Sequence, residues 1–497
     1  MKTVVTRELL IHQLYEAAEL EHTLMCTYLY AAFSLKSGVG EGLSVAEAEA
    51  VARWRRAILD IAVGEMGHLV AVWNITSALG GVPRFGRGNF PLDPGNLPAG
   101  IVVKLAPFNR DTLQHFIHLE RPHGSHEADG DAFAPEFTFR RGTPTPRVTP
   151  MALDYETVGD FYMTLSDGLR AFAERVGERE AFCGDPALQL SQAEVVLAGA
   201  ARVICAKTAL AAFDAIVAQG EGAREDSRDS HFAKFAAMRG EYAALLAQNP
   251  SFEPAFPAAR NPVLRRPPKP EGRIWIENEE AAATVDVANS AYGLMLRLIA
   301  YAYSVPAPAP EKALAVDTSI ALMRALTLLG ERAARLPAGP THPECHAGVS
   351  FITLRDAAPL PLGAGARRFF IERLQEVCAG AHALPGADDR RVADAQRLLD
   401  ELRQRAERGF ARAAAATPQV VPAPVRAALR PSAADVPASG LAKVDGVEIV
   451  AGGKITVHYE GKRCIHARFC VTGAPTVFLA NVQGPWIHPD TMDAEEL

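Results

Sequence analysis

From residue 8 to residue 36, apolar positions recur at spacings of three and four, among Leu, Ala, Glu and Tyr, and the run stops at Ser37-Gly38. That period predicts a long amphipathic helix. A second such run covers 45–79. Ser44 stands at its start as an N-cap and Glu47, three residues on, completes a capping box. Gly80-Gly81 and Pro83 close it. Residues 82–108 are rich in Pro and Gly, with a short strand expected at Ile101–Leu105. A short helix is expected over 110–120, and residues 121–150 are polar and loop-like. Further helices follow at about 155–178, 191–219 and 230–247.

Prolines crowd residues 250–275, which read as a connection, and helical periodicity returns over 278–304, 311–336 and 366–411. Residues 412–440 are then mostly Ala, Pro and Val, the composition of a semi-rigid linker. From Val444 to Tyr459 the pattern alternates as in a β-hairpin, with Gly452-Gly453 at the turn. The chain thus divides into a helical bundle (1–250), a helical extension (251–411), a linker (412–440) and a small C-terminal α+β segment (441–497). The fold class is mainly α.

The apolar stripe of the first helix runs Leu14, Ala17, Glu21, Leu24, Tyr28, with a carboxylate in its middle. That of the second runs Ile58, Ile61, Glu65, His68, Val72, with a carboxylate and an imidazole one turn apart. Buried bare carboxylates are costly and are normally paired or bound to a cation. Two helices that each point an acid into one core repel unless a cation lies between them. Glu-x-x-His places both side chains on one helix face, a ligand arrangement that recurs in dinuclear metal bundles. Oxygen-rich sites with one or two imidazoles suit iron, with manganese as the alternative. A lone Glu-x-x-His arises often by chance, and a lone acid on a stripe is often salt-bridged at its edge. The two features gain weight together.

The rest of such a site is open in the sequence. Glu156 and Asp160 share one face of the third long helix. Glu156 near the helix start suits the helix dipole, so Asp160 is the preferred ligand, with a solvated acid as the other reading. Gln219-Gly220-Glu221-Gly222 reads either as a helix end with a solvated acid or, with His231 after the loop, as a split Glu/His ligand pair.

Composition narrows the function classes. The net charge of −7 and the lack of a long basic run argue against nucleic acid as a partner. The apolar run Tyr292–Val305 is broken by Arg297 and falls short of the roughly 20 residues of a membrane helix, so no membrane role is expected. The first 20 residues lack the apolar core of a signal peptide. Seven scattered cysteines do not form a disulfide framework, and a cytoplasmic location is expected. Cys26 and Cys205 read as core residues, and the histidines at 115, 118, 123 and 126 as surface residues. His342, Cys345 and His346 lack a defined ligand spacing.

Several motifs in order resemble a known family. They are Ala18-Glu19-Leu20-Glu21-His22 with Tyr28-Leu29-Tyr30-Ala31, and Gly64-Glu65-Met66-Gly67-His68 leading to Asn74 and Gly80-Gly81-Val82-Pro83. Thr157-Val158-Gly159-Asp160-Phe161-Tyr162, Gln219-Gly220-Glu221-Gly222 and Ser230-His231-Phe232 follow. The family is the bacterial ferritin-like group that includes the iminophenylpyruvate dimer synthase of violacein biosynthesis. The resemblance runs over residues 8–250 and more loosely over 280–390. It implies a ferritin-like four-helix bundle with a di-iron site, and it carries Glu21, Glu65, His68, Asp160, Glu221 and His231 over as ligands.

At the other end, Cys464-Ile465-His466-Ala467-Arg468-Phe469-Cys470, with Val477-Phe478 and Pro485-Trp486-Ile487, resembles a divergent single-cluster ferredoxin module. That resemblance implies an iron–sulfur cluster on Cys464 and Cys470. Clusters take about three or four thiolates, so His466 is a further candidate, and two buried cysteines in a small β domain are the other reading.

The leading functional expectation is an oxidoreductase. Its di-iron centre would use dioxygen or peroxide on a small organic substrate in natural-product biosynthesis, with electrons from an attached or separate iron–sulfur protein. Two alternatives stand beside it: an enzyme coupling two aryl-imine units, and a non-catalytic metal-binding or structural protein. A homo-oligomer is compatible with each.

Overall fold

The computed structural model describes residues 5–92, 102–134, 155–220, 229–353, 357–386, 389–416, 441–444, 447–460, 470, 474, 476–479 and 485–492. Residues Met1–Thr417 make one compact unit and Pro418–Leu497 a second.

The larger unit begins with α1 (Arg7–Ser34) and α2 (Val45–Ala78). Thr6 caps α1 by accepting from Leu9 N at 3.2 Å. The expected capping box of α2 is present, with Ser44 Oγ accepting from Glu47 N at 3.3 Å and Glu47 Oε2 from Ser44 N at 2.7 Å. α3 (Arg110–Leu119), α4 (Val158–Val176), α5 (Glu178–Ala181), α6 (Ala206–Gln219) and α7 (His231–Gln248) follow. Helices α1, α2, α6 and α4 touch in a ring, and α3 with α7 packs against α2. Trp54, Trp73, Tyr28, Tyr162 and Phe213 lie buried within this arrangement. Each contributes about 1.5–3 kcal/mol by leaving water.

A two-residue parallel pairing of β1 (Pro262–Val263) with β2 (Ile274–Trp275) leads into α8 (Glu279–Ala302), α9 (Pro310–Ala333), α10 (Ala364–His382) and α11 (Arg390–Ala416). These later helices share one continuous apolar core with the first seven. Helices α2 and α9 are long and apolar enough to cross a membrane by length and composition. In this fold most of α2 is buried by its neighbours.

Three elements depart from the expected pattern. Residues 191–205 are not helical, so α6 starts only at Ala206. Two side chains hold this segment as a strap. Asn74 of α2 accepts from Leu190 N at 3.0 Å and donates to Leu190 O and Ala201 O, while Gln189 bonds both N and O of Val203. The strap lies so close to α2 that a Cβ on Gly199 would sit 1.8 Å from Gly67 O. The expected helix over 366–411 is two helices joined at Pro385-Gly386, where Gly386 takes φ +80. α10 and α11 pack on each other through Phe370 and Phe410. At the expected strand 101–105, the described residues hold one isolated bridge, Leu92 to Val103.

In the C-terminal unit, β3 (Leu441–Val444), β4 (Val447–Ala451) and β5 (Thr456–Glu460) form an antiparallel sheet in that order. The expected hairpin is β4–β5, closed by Gly452 N donating to Ile455 O at 2.8 Å. Trp486 packs edge-on against Tyr459 at 4.8 Å.

Candidate metal centre

Glu21 projects from the middle of α1, and Glu65 and His68 from the middle of α2, one turn apart. His231 is the first residue of α7, and Glu120 is the C-cap of α3. All five are buried, each exposing 4% of its surface or less. The side chains converge as two overlapping groups: Glu21, Glu65 and His68, and Glu65, Glu120 and His231.

Glu65 belongs to both groups. Its Oε2 lies 3.1 Å from His68 Nδ1, and its Oε1 lies 3.0 Å from His231 Nδ1. On the outer sides, Glu21 Oε2 lies 3.2 Å from His68 Nδ1 and Glu120 Oε2 lies 3.5 Å from His231 Nδ1. The far oxygens of these two carboxylates accept phenol hydroxyls. Tyr162 of α4 donates to Glu21 Oε1, and Tyr28 of α1 donates to Glu120 Oε1 at 2.5 Å.

Glycine makes room for this approach. A Cβ on Gly64 would lie 2.9 Å from His231 Nε2, and one on Gly220 would meet His68 and His231 at 3.3 and 3.6 Å.

The electrostatics are those of buried acids forced close together. Burial and the neighbouring Glu65 push Glu21 up to about 8. Burial would also raise Glu65, but the charges of His68 and His231 hold it well below the usual carboxylate range. Burial opposes the charge on both imidazoles. The carboxylates override it, raising His68 well above its ordinary value and His231 to about 9.

The donor set fits two metal ions. Glu65 Oε1, Glu120 Oε2 and His231 Nδ1 are fully buried, and the two oxygens lie 3.0 and 3.5 Å from the imidazole nitrogen as ion-pair contacts, with no well-aligned hydrogen bond to satisfy them. Buried polar atoms in that condition are rare and costly unless an ion satisfies them. Three carboxylates and two imidazoles suit iron or manganese better than copper or structural zinc.

Four of the six ligands expected from the sequence, Glu21, Glu65, His68 and His231, come together here. Asp160 does not. It is the third residue of α4, where its Oδ2 accepts from Thr157 N at 3.0 Å in a capping box, and its Oδ1 pairs with exposed His123 at 2.7 Å. Its carboxylate is used up at a helix end. Glu221 lies outside the described residues. Glu120, Tyr28 and Tyr162 were not read as site residues from the sequence. A signal for Glu120 existed, because it continues the stripe Leu113, Phe116, Ile117 by one more turn. His115, expected at the surface, is buried, with Nδ1 2.7 Å from Asp129 Oδ1 and its ring stacked on Phe133. In the C-terminal unit Cys470 is half-buried and free, and Cys464 lies outside the described residues.

The family model described as ferritin-like matches residues 14–240, the span that holds all five converging side chains. Residues 14–240 are a ferritin-like domain. Its converging side chains come from α1, α2, the C-terminal end of α3 and the N-terminal end of α7. Residues 450–497 match a second model, described as a divergent 4Fe-4S mono-cluster. The chain is 29% identical over 346 residues to a 2-imino-3-(indol-3-yl)propanoate dimerase of Chromobacterium violaceum, covering 63% of this chain and 31% of that protein. It is 24% identical over 453 residues to the dichlorochromopyrrolate synthase of Lentzea aerocolonigenes, covering 80% of this chain and 41% of that one. The chain therefore spans well under half the length of these curated relatives. A crystal structure of a ferritin-like protein from Caulobacter vibrioides is similar at 17% identity and a TM-score of 0.41, covering 65% of this chain and 96% of that one.

Proposed function

We propose that this chain is an oxidoreductase that uses a carboxylate-bridged di-iron centre, with dioxygen or peroxide, on a small organic substrate of natural-product biosynthesis. The observation that carries the reading is the sharing of Glu65, one oxygen toward each histidine, inside a buried core. Glu21, Glu65 and His68 would hold one ion, and Glu65, Glu120 and His231 the other. Iron held by these residues would supply the redox chemistry between an oxidant and a substrate. Three protein donors per ion leave coordination positions open, as a reactive site requires and a closed structural site does not. The burial of these side chains keeps bulk water away, and Glu65 would be the ligand shared between the two ions.

A second reading is favoured by one finding, the likeness to a protein named as a dimerase of an indolyl imino acid. On that reading the oxidation joins two aryl-imine units. Both readings meet one experiment. Reduced, iron-loaded protein is mixed with oxygen or peroxide, with and without an α-imino acid bearing an aryl side chain. Oxidant consumption with a dimeric product supports coupling. Oxidant consumption without it supports an oxidase acting on another substrate. Protein that reacts with neither oxygen nor peroxide sinks both.

A further inference from the structure

We propose that Tyr28 and Tyr162 are positioning residues, one for each metal ion, which restrict Glu120 and Glu21 to binding through a single oxygen. The inference rests on the dinuclear reading above and adds to it how the two halves are built.

Each outer carboxylate has one oxygen turned to its histidine and the other taken by a phenol. In the first half, Glu21 offers Oε2 to the side of His68 and accepts the Tyr162 hydroxyl on Oε1. In the second, Glu120 offers Oε2 to the side of His231 and accepts the Tyr28 hydroxyl on Oε1. Among the described residues Glu65 has no such phenol, and it turns both oxygens to the histidines. A free carboxylate can swing between one-oxygen, two-oxygen and bridging modes. One whose second oxygen already accepts a buried hydroxyl must break that bond to do so, and buried bonds to charged groups are the strong ones.

The phenols cannot easily follow such a swing. Both tyrosines are fully buried. The Tyr28 ring is wedged between Phe116 at 4.7 Å and Phe235 at 5.3 Å, and the Tyr162 ring between Phe161 at 5.5 Å and Phe213 at 5.9 Å. Close-packed rings hold their hydroxyls at fixed points. Tyr28 also ties the halves together. It stands on the same face of α1 as Glu21, two turns on, so one helix supplies a ligand to the first ion and orients a ligand of the second. Glu65 is then the one carboxylate of the three placed to bridge, and each ion keeps open positions.

The test is a metal titration of metal-free protein with Mn(II), followed by paramagnetic resonance, and with Co(II), followed by visible absorption. Wild type is compared with Tyr28→Phe, Tyr162→Phe, Glu21→Ala and Glu120→Ala. Phenylalanine keeps the ring, and circular dichroism checks the fold. Wild type should bind in two steps. Tyr162→Phe should weaken the step that Glu21→Ala abolishes, by about 10–100-fold, the usual cost of losing a partner to a ligand. Tyr28→Phe should weaken the step that Glu120→Ala abolishes by a similar factor. The Co(II) absorption should change for that ion alone. A fluorotyrosine at either position, which keeps the ring and sharpens the hydroxyl as a donor, should shift the same step even where a Phe variant folds poorly. Two unchanged steps in both variants, or an equal loss on both steps from either one, overturns the proposal while leaving the dinuclear site intact. Wild-type protein that binds no metal overturns the dinuclear reading itself.

Discussion

Oε1 of Glu65 lies 3.0 Å from Nδ1 of His231, although one belongs to the middle of α2 and the other opens α7. The contact joins two halves of unequal construction. His68 and Glu21 stand within long helices, whereas Glu120 and His231 stand at helix ends. The two outer carboxylates should therefore act separately. Glu120→Ala should lower bound metal from two ions to one, and so should Glu21→Ala. The surviving ion should differ between them, as read from the spectrum of a Co(II)-loaded sample. Loss beyond about 100-fold is expected at each emptied position, more than a mere partner to a ligand would cost.

Gly64 offers a finer cut. A methyl group there would press on Nε2 of His231 from 2.9 Å, and the ring must shift from its present position. Metal sites tolerate misplacement of only about 0.5 Å. Gly64→Ala should weaken the second ion while leaving the first. Its helix should be no less stable, because alanine replaces glycine inside α2 at a gain of about 0.5–1 kcal/mol. Thermal melting and metal titration of the same sample separate the two effects.

Protons should report on metal. In the fold Glu21 holds its proton up to about 8 and His231 up to about 9, each above the value it has in an unfolded chain. Between the ordinary carboxylate range and about 9 the folded protein thus binds more protons than the unfolded one. Metal-free protein should lose stability as pH rises through that interval. Glu65, shifted the other way, contributes stability that is lost only in acid. Metal ions replace these protons, so adding Mn(II) at pH 7 should release protons into weak buffer and remove the alkaline loss of stability. Melting temperature against pH, with and without metal, checks both parts.

Asp160 separates the sequence expectation from the structure. As a capping residue it should matter to α4 and not to metal. Asp160→Ala should cost about 1 kcal/mol of stability and leave two ions bound. A lost ion, seen by elemental analysis, would restore Asp160 to the site.

The sequence reveals the first half of this centre more plainly than the second, for a physical reason. Glu21, Glu65 and His68 interrupt long apolar stripes, where a charge stands out against its neighbours. Glu120 ends a ten-residue helix before Arg121-Pro122, where an acid looks like an ordinary terminus. Its inward direction is set by packing of α3 on α7, which no local pattern records. Tyr28 and Tyr162 are hidden for the opposite reason, since an aromatic ring on an apolar stripe looks like core. The helix ends at Ser44 and Gly80-Gly81 were legible because capping is local chemistry. The strap at 191–205 was not, because Asn74 and Gln189 impose it through side-chain bonds from a distance.

The most direct measurement is the metal content of protein purified without added metal, compared between wild type and Glu65→Ala. Glu65 is the ligand both ions share, so the account expects two iron or manganese ions per bundle in wild type and neither in the variant, with the helical fold retained. Wild-type protein without metal, or a Glu65→Ala protein that keeps both ions, would contradict it.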